Sequence, residues 1–243
     1  MKQQQIKIAH IPAILWGDSS PHLVIAVHGY WGNKSNQLIR SFAAWATDKG
    51  FQVLSFDLPE HGERKEDSLI ELALCIEEFQ TILRYAEQDW NHISLFANSL
   101  GAYLSLLSFE RESFKQTWFV APVVDMSRLM NNLMTQCRID ETMLEREHTI
   151  LAPSGEKLNW NFYLYVLSHP IVHWQSPTHI LYGEADETCE MDTILDFAKK
   201  FDADVEIIPN GEHFFHTEEH LETMTTWLDK SFAKLNFNPK TQA

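Results

Sequence analysis

The chain has 243 residues, of which 44% are hydrophobic, and this is enough to bury the core of one large domain. Its 34 acidic residues outnumber its 19 basic residues, so the formal net charge is −15. Because so acidic a surface repels phosphate groups, we predict that the protein binds no nucleic acid and is not drawn to anionic lipid.

The beginning of the chain, MKQQQIKIAHIPAILWGD, lacks the pattern of a secretory signal because His10 and Pro12 interrupt its short apolar stretch. No apolar run is long enough to span a bilayer. The three cysteines, Cys75, Cys137 and Cys189, are widely spaced and odd in number. This pattern favours a reducing compartment over a disulfide framework, so we expect a soluble, cytoplasmic protein.

Short apolar runs predict the strands of an α/β protein. Residues 6–17 have the pattern of an antiparallel hairpin, although Pro12 argues against continuous pairing. The later runs are continuously apolar, as is typical of parallel strands that are covered on both faces. These predicted strands are residues 23–29, 51–58, 92–97, 117–123, 178–183 and 204–211.

Helical stretches lie between the predicted strands. The segments 38–50, 69–88 and 221–235 each carry an apolar stripe with helical period, and the first of them ends in Gly50. Alternating strands and helices predict a doubly wound architecture, with a mostly parallel central sheet and helices on both of its faces. We expect a single domain over residues 1–243.

One interval, residues 127–176, breaks this alternation. It contains methionines, aromatic residues and charges, but no run typical of a buried strand. Insertions of this length in a compact domain are usually functional lids or small added subdomains. We therefore predict a small cap insertion here. The alternative is a pair of surface helices that pack beside the domain and add only stability.

The sequence FANSLGAYLS, residues 96–105, turns the chain from a predicted strand to a predicted helix within two residues. Such a tight turn exposes the side chain at its apex and requires small neighbours, which Ala97 and Gly101 provide. It resembles the GxSxG nucleophile elbow of the α/β-hydrolase superfamily, with alanine at the first glycine position. The resemblance makes Ser99 the nucleophile. By itself, the same pattern also fits an ordinary turn before a helix.

A serine nucleophile requires a histidine base and an acid that orients the histidine. The superfamily order of serine, acid and histidine is similar here, with Asp186 in LYGEADET and His213 in IIPNGEHFFH, after the last two predicted strands. The resemblance therefore implies a triad of Ser99, Asp186 and His213. The residues leave open Glu184, Glu187 and Asp192 as other acids, and His216 and His220 as other bases.

The stretch AVHGYWGNK after the first buried strand resembles the HGxxG oxyanion loop of the same superfamily. That resemblance implies that the backbone N–H groups of Tyr30 and Leu100 hold the oxyanion of the intermediate. We expect His28, at the end of a strand beneath this loop, to be structural. His61, in FDLPEHGER, is expected to be a loop or pocket residue.

Four methionines and leucines follow Met126 at helical spacing and are candidates for an acyl pocket, although ordinary helix packing gives the same pattern. They are Leu129, Met130, Leu133 and Met134. The predicted pocket residues are Trp31, Met126, Met130 and Met134.

These observations together predict a serine hydrolase, most simply a carboxylesterase that acts on a small acyl substrate through an acyl-enzyme. The resemblance is to serine esterases, lipases and thioesterases. A thioesterase or a serine aminopeptidase would use the same residues, and a noncatalytic binding protein would keep the fold without turnover. No cofactor or metal is expected, because the histidines lack HExxH spacing and the cysteines are unpaired. The oligomeric state is left open.

Overall fold

The computed structural model describes residues 1–65 and 71–234. The first two positions of the predicted helix 69–88 and the last position of the predicted helix 221–235 lie outside these described residues. Within the described part of the chain, no helix is both long and apolar enough to cross a membrane.

A sheet of eight strands forms the centre of the described structure. The strands are β1 Gln3–Ile8, β2 Ile11–Trp16, β3 His22–Val27, β4 Gln52–Phe56, β5 His92–Asn98, β6 Thr117–Val120, β9 Thr178–Gly183 and β10 Asp204–Ile208, with β7 and β8 in the small sheet described below. Their order across the sheet is β1-β2-β4-β3-β5-β6-β9-β10. All neighbours from β4 to β10 run parallel, whereas β2 is antiparallel to both of its neighbours, β1 and β4. The predicted mostly parallel sheet is confirmed.

Helices cover both faces of this sheet, as predicted. They are α1 Gln37–Asp48, α2 Leu72–Asp89, α3 Leu100–Ser108, α4 Met126–Cys137, α5 Glu141–Glu147, α6 Trp160–Ser168, α7 Met191–Phe201 and α8 Glu218–Ala233. The apolar sides of α1 and α8 form one buried cluster with one face of the sheet. Those of α2, α3 and α7 form a second cluster with the other face. Burial of both faces explains why the strands are continuously apolar.

The N-terminal hairpin is also confirmed, and its pairing continues through Pro12, which lies opposite Lys7. Proline lacks an N–H donor, but its carbonyl still accepts, and here it receives the backbone N–H of Asp57 at 3.0 Å. The antiparallel hairpin therefore extends the parallel sheet beyond β4.

Four strands end earlier than their apolar runs predict, at Val27, Phe56, Val120 and Ile208. Strand β6 stops at Val120 because Ala121 has a positive φ of 41°, which turns the chain out of the sheet. The N–H of Val123 then donates to the carbonyl of Ser99 at 3.2 Å. Residues 121–123 lie outside the strand but are buried beside the turn that contains Ser99. Hydrophobicity alone therefore could not locate the end of the strand.

The interval 127–176 contains more structure than the sequence predicted. Besides most of α4 it holds α5, α6 and a two-stranded antiparallel sheet of β7 Thr149–Leu151 and β8 Lys157–Asn159. Arg128 of α4 contacts the rest of the domain by donating to both carboxylate oxygens of Glu190, at 2.8 and 3.2 Å. The short strands were missed because they carry too few apolar residues to form a pattern.

Candidate active site

Ser99 lies at the apex of the turn between β5 and α3, with φ 50° and ψ −122°. This is a strained conformation for a residue with a side chain. It is possible only where the backbone of the turn and the backbone of residues 27–29 can approach each other closely. A Cβ atom on Gly101 would lie 2.4 Å from the carbonyl oxygen of His28, and one on Gly29 would lie 3.0 Å from Cβ of Ser99. Both glycines are therefore required by the geometry that presents the Ser99 hydroxyl.

Ser99, His213 and Asp186 form a continuous hydrogen-bonded chain. Oγ of Ser99 lies 2.8 Å from Nε2 of His213, and Nδ1 of His213 lies 2.7 Å from Oδ2 of Asp186. Because an ionised carboxylate only accepts, Nδ1 carries the proton, and Nε2 is left to accept the Ser99 hydroxyl. This tautomer is the one a general base for Ser99 requires.

The carboxylate of Asp186 is fixed by the turn that follows β9. Its Oδ1 accepts the backbone N–H groups of Thr188 and Cys189, each at 2.8 Å, and its side chain is fully buried. Both carboxylate oxygens are thus satisfied, so Asp186 holds the ring of His213 in one orientation. The two backbone N–H donors could not be read from the sequence, because any residue type supplies them.

The alternative acids and bases are not part of this hydrogen-bonded chain, although His216 lines the same cavity as Ser99. Glu184 accepts the backbone N–H of Asn210 at 3.3 Å, and Glu187 and Asp192 are exposed. Nδ1 of His216 lies 2.9 Å from the carbonyl of Phe214, and His220 is within α8. Among the residues that the sequence singled out, the structure brings only Asp186 and His213 into hydrogen-bond contact around Ser99.

Cys189 also lies beside this pair. Its thiol, the carboxylate of Asp186 and the imidazole of His213 lie within 4.8 Å of one another and form the one group of three possible metal ligands among the described residues. Burial raises the pKa of the Cys189 thiol, so it is protonated at neutral pH. A metal ion here would have to replace the hydrogen bond between His213 and Asp186. In the structure all three cysteines are free.

The two backbone N–H groups that the resemblance implies for the oxyanion, those of Leu100 and Tyr30, have no acceptor among the described residues. Leu100 is the first residue of α3, where N–H groups have no acceptor within the helix. The loop after β3 is held by a hydrogen bond from Gly32 N to the carbonyl of Gly29, and Tyr30 lies within this turn. Both N–H groups are therefore available to a ligand.

His28 is fully buried beneath this loop, as expected of a structural residue. Burial lowers its pKa to about 4, so the imidazole is neutral. Its Nε2 accepts the backbone N–H of Leu58 at 3.1 Å, which places the proton on Nδ1, 2.8 Å from the carbonyl of Gly29. Through these bonds His28 joins the loop after β3 to the loop after β4. His61, packed against His28, lies outside the cavity described next.

Ser99 and His213 open into a cavity of about 390 Å³ that is mainly apolar. Three of the four predicted pocket residues line it, namely Trp31, Met126 and Met130. The fourth, Met134, does not line the cavity and packs in the buried core instead. Successive helix residues are rotated by about 100°, so Leu133 continues the stripe that Met126 begins, and Met134 points away from it.

Several further residues of the cavity were not among the predicted pocket residues. Leu158 and Phe162 come from the insertion, and Phe214 and Phe215 follow His213 in the chain. Isolated apolar residues near a loop resemble ordinary core residues, so only their positions in space assign them to the cavity. Trp31 remains 60% exposed at its mouth.

Comparison with known proteins gives matches in structure alone. No protein-family model and no curated protein matches the sequence. Est1E from Butyrivibrio proteoclasticus, solved with ferulic acid bound, has a TM-score of 0.77 and 19% identity over 95% of this chain and 98% of its own. Mouse alpha/beta hydrolase domain-containing protein 10 has a TM-score of 0.77 and 17% identity over 97% and 100% of the two chains. The Pyrococcus furiosus esterase Pf2001 has a TM-score of 0.68 and 14% identity over 96% and 90%.

These structures match nearly the whole length of the chain, and the matched proteins include esterases and hydrolases. The chain therefore has the α/β-hydrolase fold. Because a fold hosts many functions, the activity must be argued from the site itself.

Proposed function

We propose that this protein is a serine hydrolase that cleaves a carboxylic ester, or a related acyl bond, through an acyl-enzyme intermediate. The observation that carries the proposal is the hydrogen-bonded chain from Ser99 through His213 to Asp186, with contacts of 2.8 and 2.7 Å. A serine hydroxyl with this pair of partners has both the base and the orienting acid that nucleophilic attack requires.

In the acylation step, Nε2 of His213 takes the proton of the Ser99 hydroxyl as its oxygen attacks the carbonyl carbon of the substrate. Negative charge develops on the carbonyl oxygen, and the N–H groups of Tyr30 and Leu100 stabilise it. The first turn of α3 adds its positive dipole end to this position. His213 then gives the proton to the departing alcohol, and the acyl group is left on Ser99.

Deacylation reverses these roles with water. His213 takes a proton from water as the resulting hydroxide attacks the acyl carbonyl, and then returns the proton to Ser99 as the carboxylic acid leaves. Asp186 stabilises the imidazolium form of His213 in both steps without being protonated itself. One water is consumed, and one acid and one alcohol are released.

The structural neighbours support this chemistry. One of them is an esterase of Pyrococcus furiosus, and another binds ferulic acid, a carboxylic acid of the kind that an ester hydrolase releases. The mainly apolar cavity beside Ser99 suits a small to medium acyl group. The insertion 127–176 contributes Met130 and Leu158 to that cavity, so we propose that it acts as a cap over the substrate.

Labelling by a fluorophosphonate probe tests the proposal. The parent protein should be labelled and Ser99→Ala should not be, whereas an unlabelled parent would indicate a noncatalytic binding protein. Rates on p-nitrophenyl esters, on acyl thioesters and on aminoacyl p-nitroanilides then separate an esterase from a thioesterase and a serine aminopeptidase. The class with the highest kcat/KM identifies the bond that the enzyme prefers.

A further inference from the structure

A second cavity, of about 290 Å³, lies among α3, α6, α7 and the beginning of α4. Its inner wall is apolar and includes Val166 and Phe197, which are buried. Its outer wall carries the charged residues Asp125, Asp196 and Lys200. None of the steps proposed above uses this cavity.

Tyr103 lines the second cavity from α3, one turn beyond Ser99. Its side chain is only 2% exposed, and its hydroxyl has no hydrogen-bond partner in the described part of the chain. A buried hydroxyl without a partner costs free energy, and a ligand oxygen placed in the cavity would remove that cost. Burial also raises the pKa of Tyr103, so the phenol is neutral and its O–H group can donate a hydrogen bond to such an oxygen.

Asp125 determines which kind of ligand oxygen can bind beside Tyr103 in the second cavity. Its Oδ1 accepts from the hydroxyl of Ser127 and from the backbone N–H of Arg128, both at 2.9 Å. No donor among the described residues occupies its other carboxylate oxygen. A hydroxyl group in the cavity can accept from Tyr103 and donate to Asp125. A carboxylate would meet the negative charges of Asp125 and Asp196 and, among the described residues that line the cavity, only one positive charge, that of Lys200, which already donates to the carbonyl of Ile171 at 3.0 Å.

Met126 lines both cavities, and its side chain is 5% exposed. The methionine therefore forms a wall between the cavity that contains Ser99 and the cavity that contains Tyr103. The side chain of methionine is unbranched and adopts many rotamers, so Met126 can move aside more easily than a branched residue could.

We propose that the second cavity is the distal compartment of the acyl site, that it holds the hydroxyl-bearing end of an ω-hydroxyacyl chain, and that Met126 sets the length at which a chain can enter it. This inference rests on the proposed function, since it assumes that the acyl carbonyl lies at Ser99. Tyr103 and Asp125 are the residues that recognise the terminal hydroxyl.

The first test measures kcat/KM across p-nitrophenyl esters of graded acyl length. Met126→Val and Met126→Ala should extend the longest accepted chain progressively, and the rate on the first ester beyond the parent limit should rise by about tenfold in the alanine variant. Met134→Ala is the matched control, because it removes a methionine from the same helix that lines neither cavity. A length profile that does not change in either Met126 variant would overturn the role of Met126.

The second test measures binding without turnover. In a Ser99→Ala/Met126→Ala protein, calorimetry should show that ω-hydroxy fatty acids bind about fivefold to tenfold more tightly than the unsubstituted acids of the same length. Adding Tyr103→Phe should abolish that preference while leaving the affinity for the unsubstituted acids unchanged. Equal affinities before Tyr103 is changed would show that the cavity does not recognise a hydroxyl.

The two proposals fail in different ways. If Ser99 is not a nucleophile, the parent protein hydrolyses no ester of any length, but the hydroxyl preference in the binding test still decides the role of Tyr103. If the parent hydrolyses short esters and neither test gives the expected result, the proposed function stands and the distal compartment is rejected.

Discussion

Oγ of Ser99 lies 2.8 Å from Nε2 of His213, although 114 residues separate the two in the chain. The first belongs to the turn after β5 and the second to the loop after β10. Both strands end at the same edge of the parallel sheet, which is where ligands bind in open α/β folds. The predictions below test whether this contact is a catalytic one.

Replacing Ser99 with alanine should abolish ester hydrolysis while leaving the fold intact. The change removes one oxygen from the cavity and keeps Cβ, so the turn and its packing are retained. Loss of a triad nucleophile costs several powers of ten in rate, about 10⁶ in the best-studied case. Steady-state kinetics and thermal melting of the same preparation measure both effects. Near-parent activity in a well-folded variant would refute the proposed mechanism.

Removing His213 should be as damaging as removing Ser99, because the two act as one unit. His213→Ala and the double variant Ser99→Ala/His213→Ala should therefore have similar residual rates. His220→Ala is the control, since His220 lies on α8 and does not line the cavity. A double variant far slower than either single variant would show that the two residues act independently.

Gly101→Ala should disturb the site through sterics alone. The new methyl group would lie 2.4 Å from the carbonyl oxygen of His28 and 2.8 Å from that of Val27, and both are backbone atoms that cannot rotate away. We expect a loss of unfolding free energy of about 1–3 kcal/mol, measured by urea denaturation, together with a fall in kcat. A variant with parent stability and activity would mean that α3 can shift away from β3 without cost.

Met130 and Met134 provide a matched pair for testing the cap. Both are methionines of α4 and both are 4% exposed, but only Met130 lines the cavity that contains Ser99. Met130→Ala should change the preferred acyl length, and both alanine variants should lower the melting temperature. If Met130→Ala has the acyl-length profile of the parent, the insertion is a scaffold and the cap proposal fails.

His28 should make the protein less stable as the pH falls from 6.5 to 4. Burial lowers the folded-state pKa of His28 from 6.5 to about 4, so in this range the unfolded chain binds a proton that the folded chain does not. The free energy of unfolding therefore carries no penalty from His28 above pH 6.5. As the pH falls toward 4, it decreases by about 3 kcal/mol because of this one histidine.

Urea denaturation across that pH range, compared between the parent and His28→Gln, isolates this contribution, because the other histidines are the same in both proteins. His173→Gln, which changes an exposed histidine, is the control and should keep the pH dependence of the parent. Equal pH dependence in all three proteins would mean that His28 is not the group responsible.

The sequence by itself determined the order of strands and helices. Continuous apolar runs can be buried only by layers on both faces, so they predicted the parallel sheet, and the hairpin before it was visible despite Pro12. It also singled out Ser99, because a serine between a strand and Gly101 implies a tight turn. These features are local, and local patterns follow directly from the spacing of side chains along one element.

Only the tertiary structure decided which of several acidic residues and histidines meet Ser99. Asp186 and Glu184 share one loop and have the same chemistry, and the end of β9 places the first against His213 and leaves the second in solvent. The rotation of α4 likewise placed Met130 in the cavity and Met134 in the core. Such choices depend on how distant elements pack, and residue type and spacing along the chain do not contain that information.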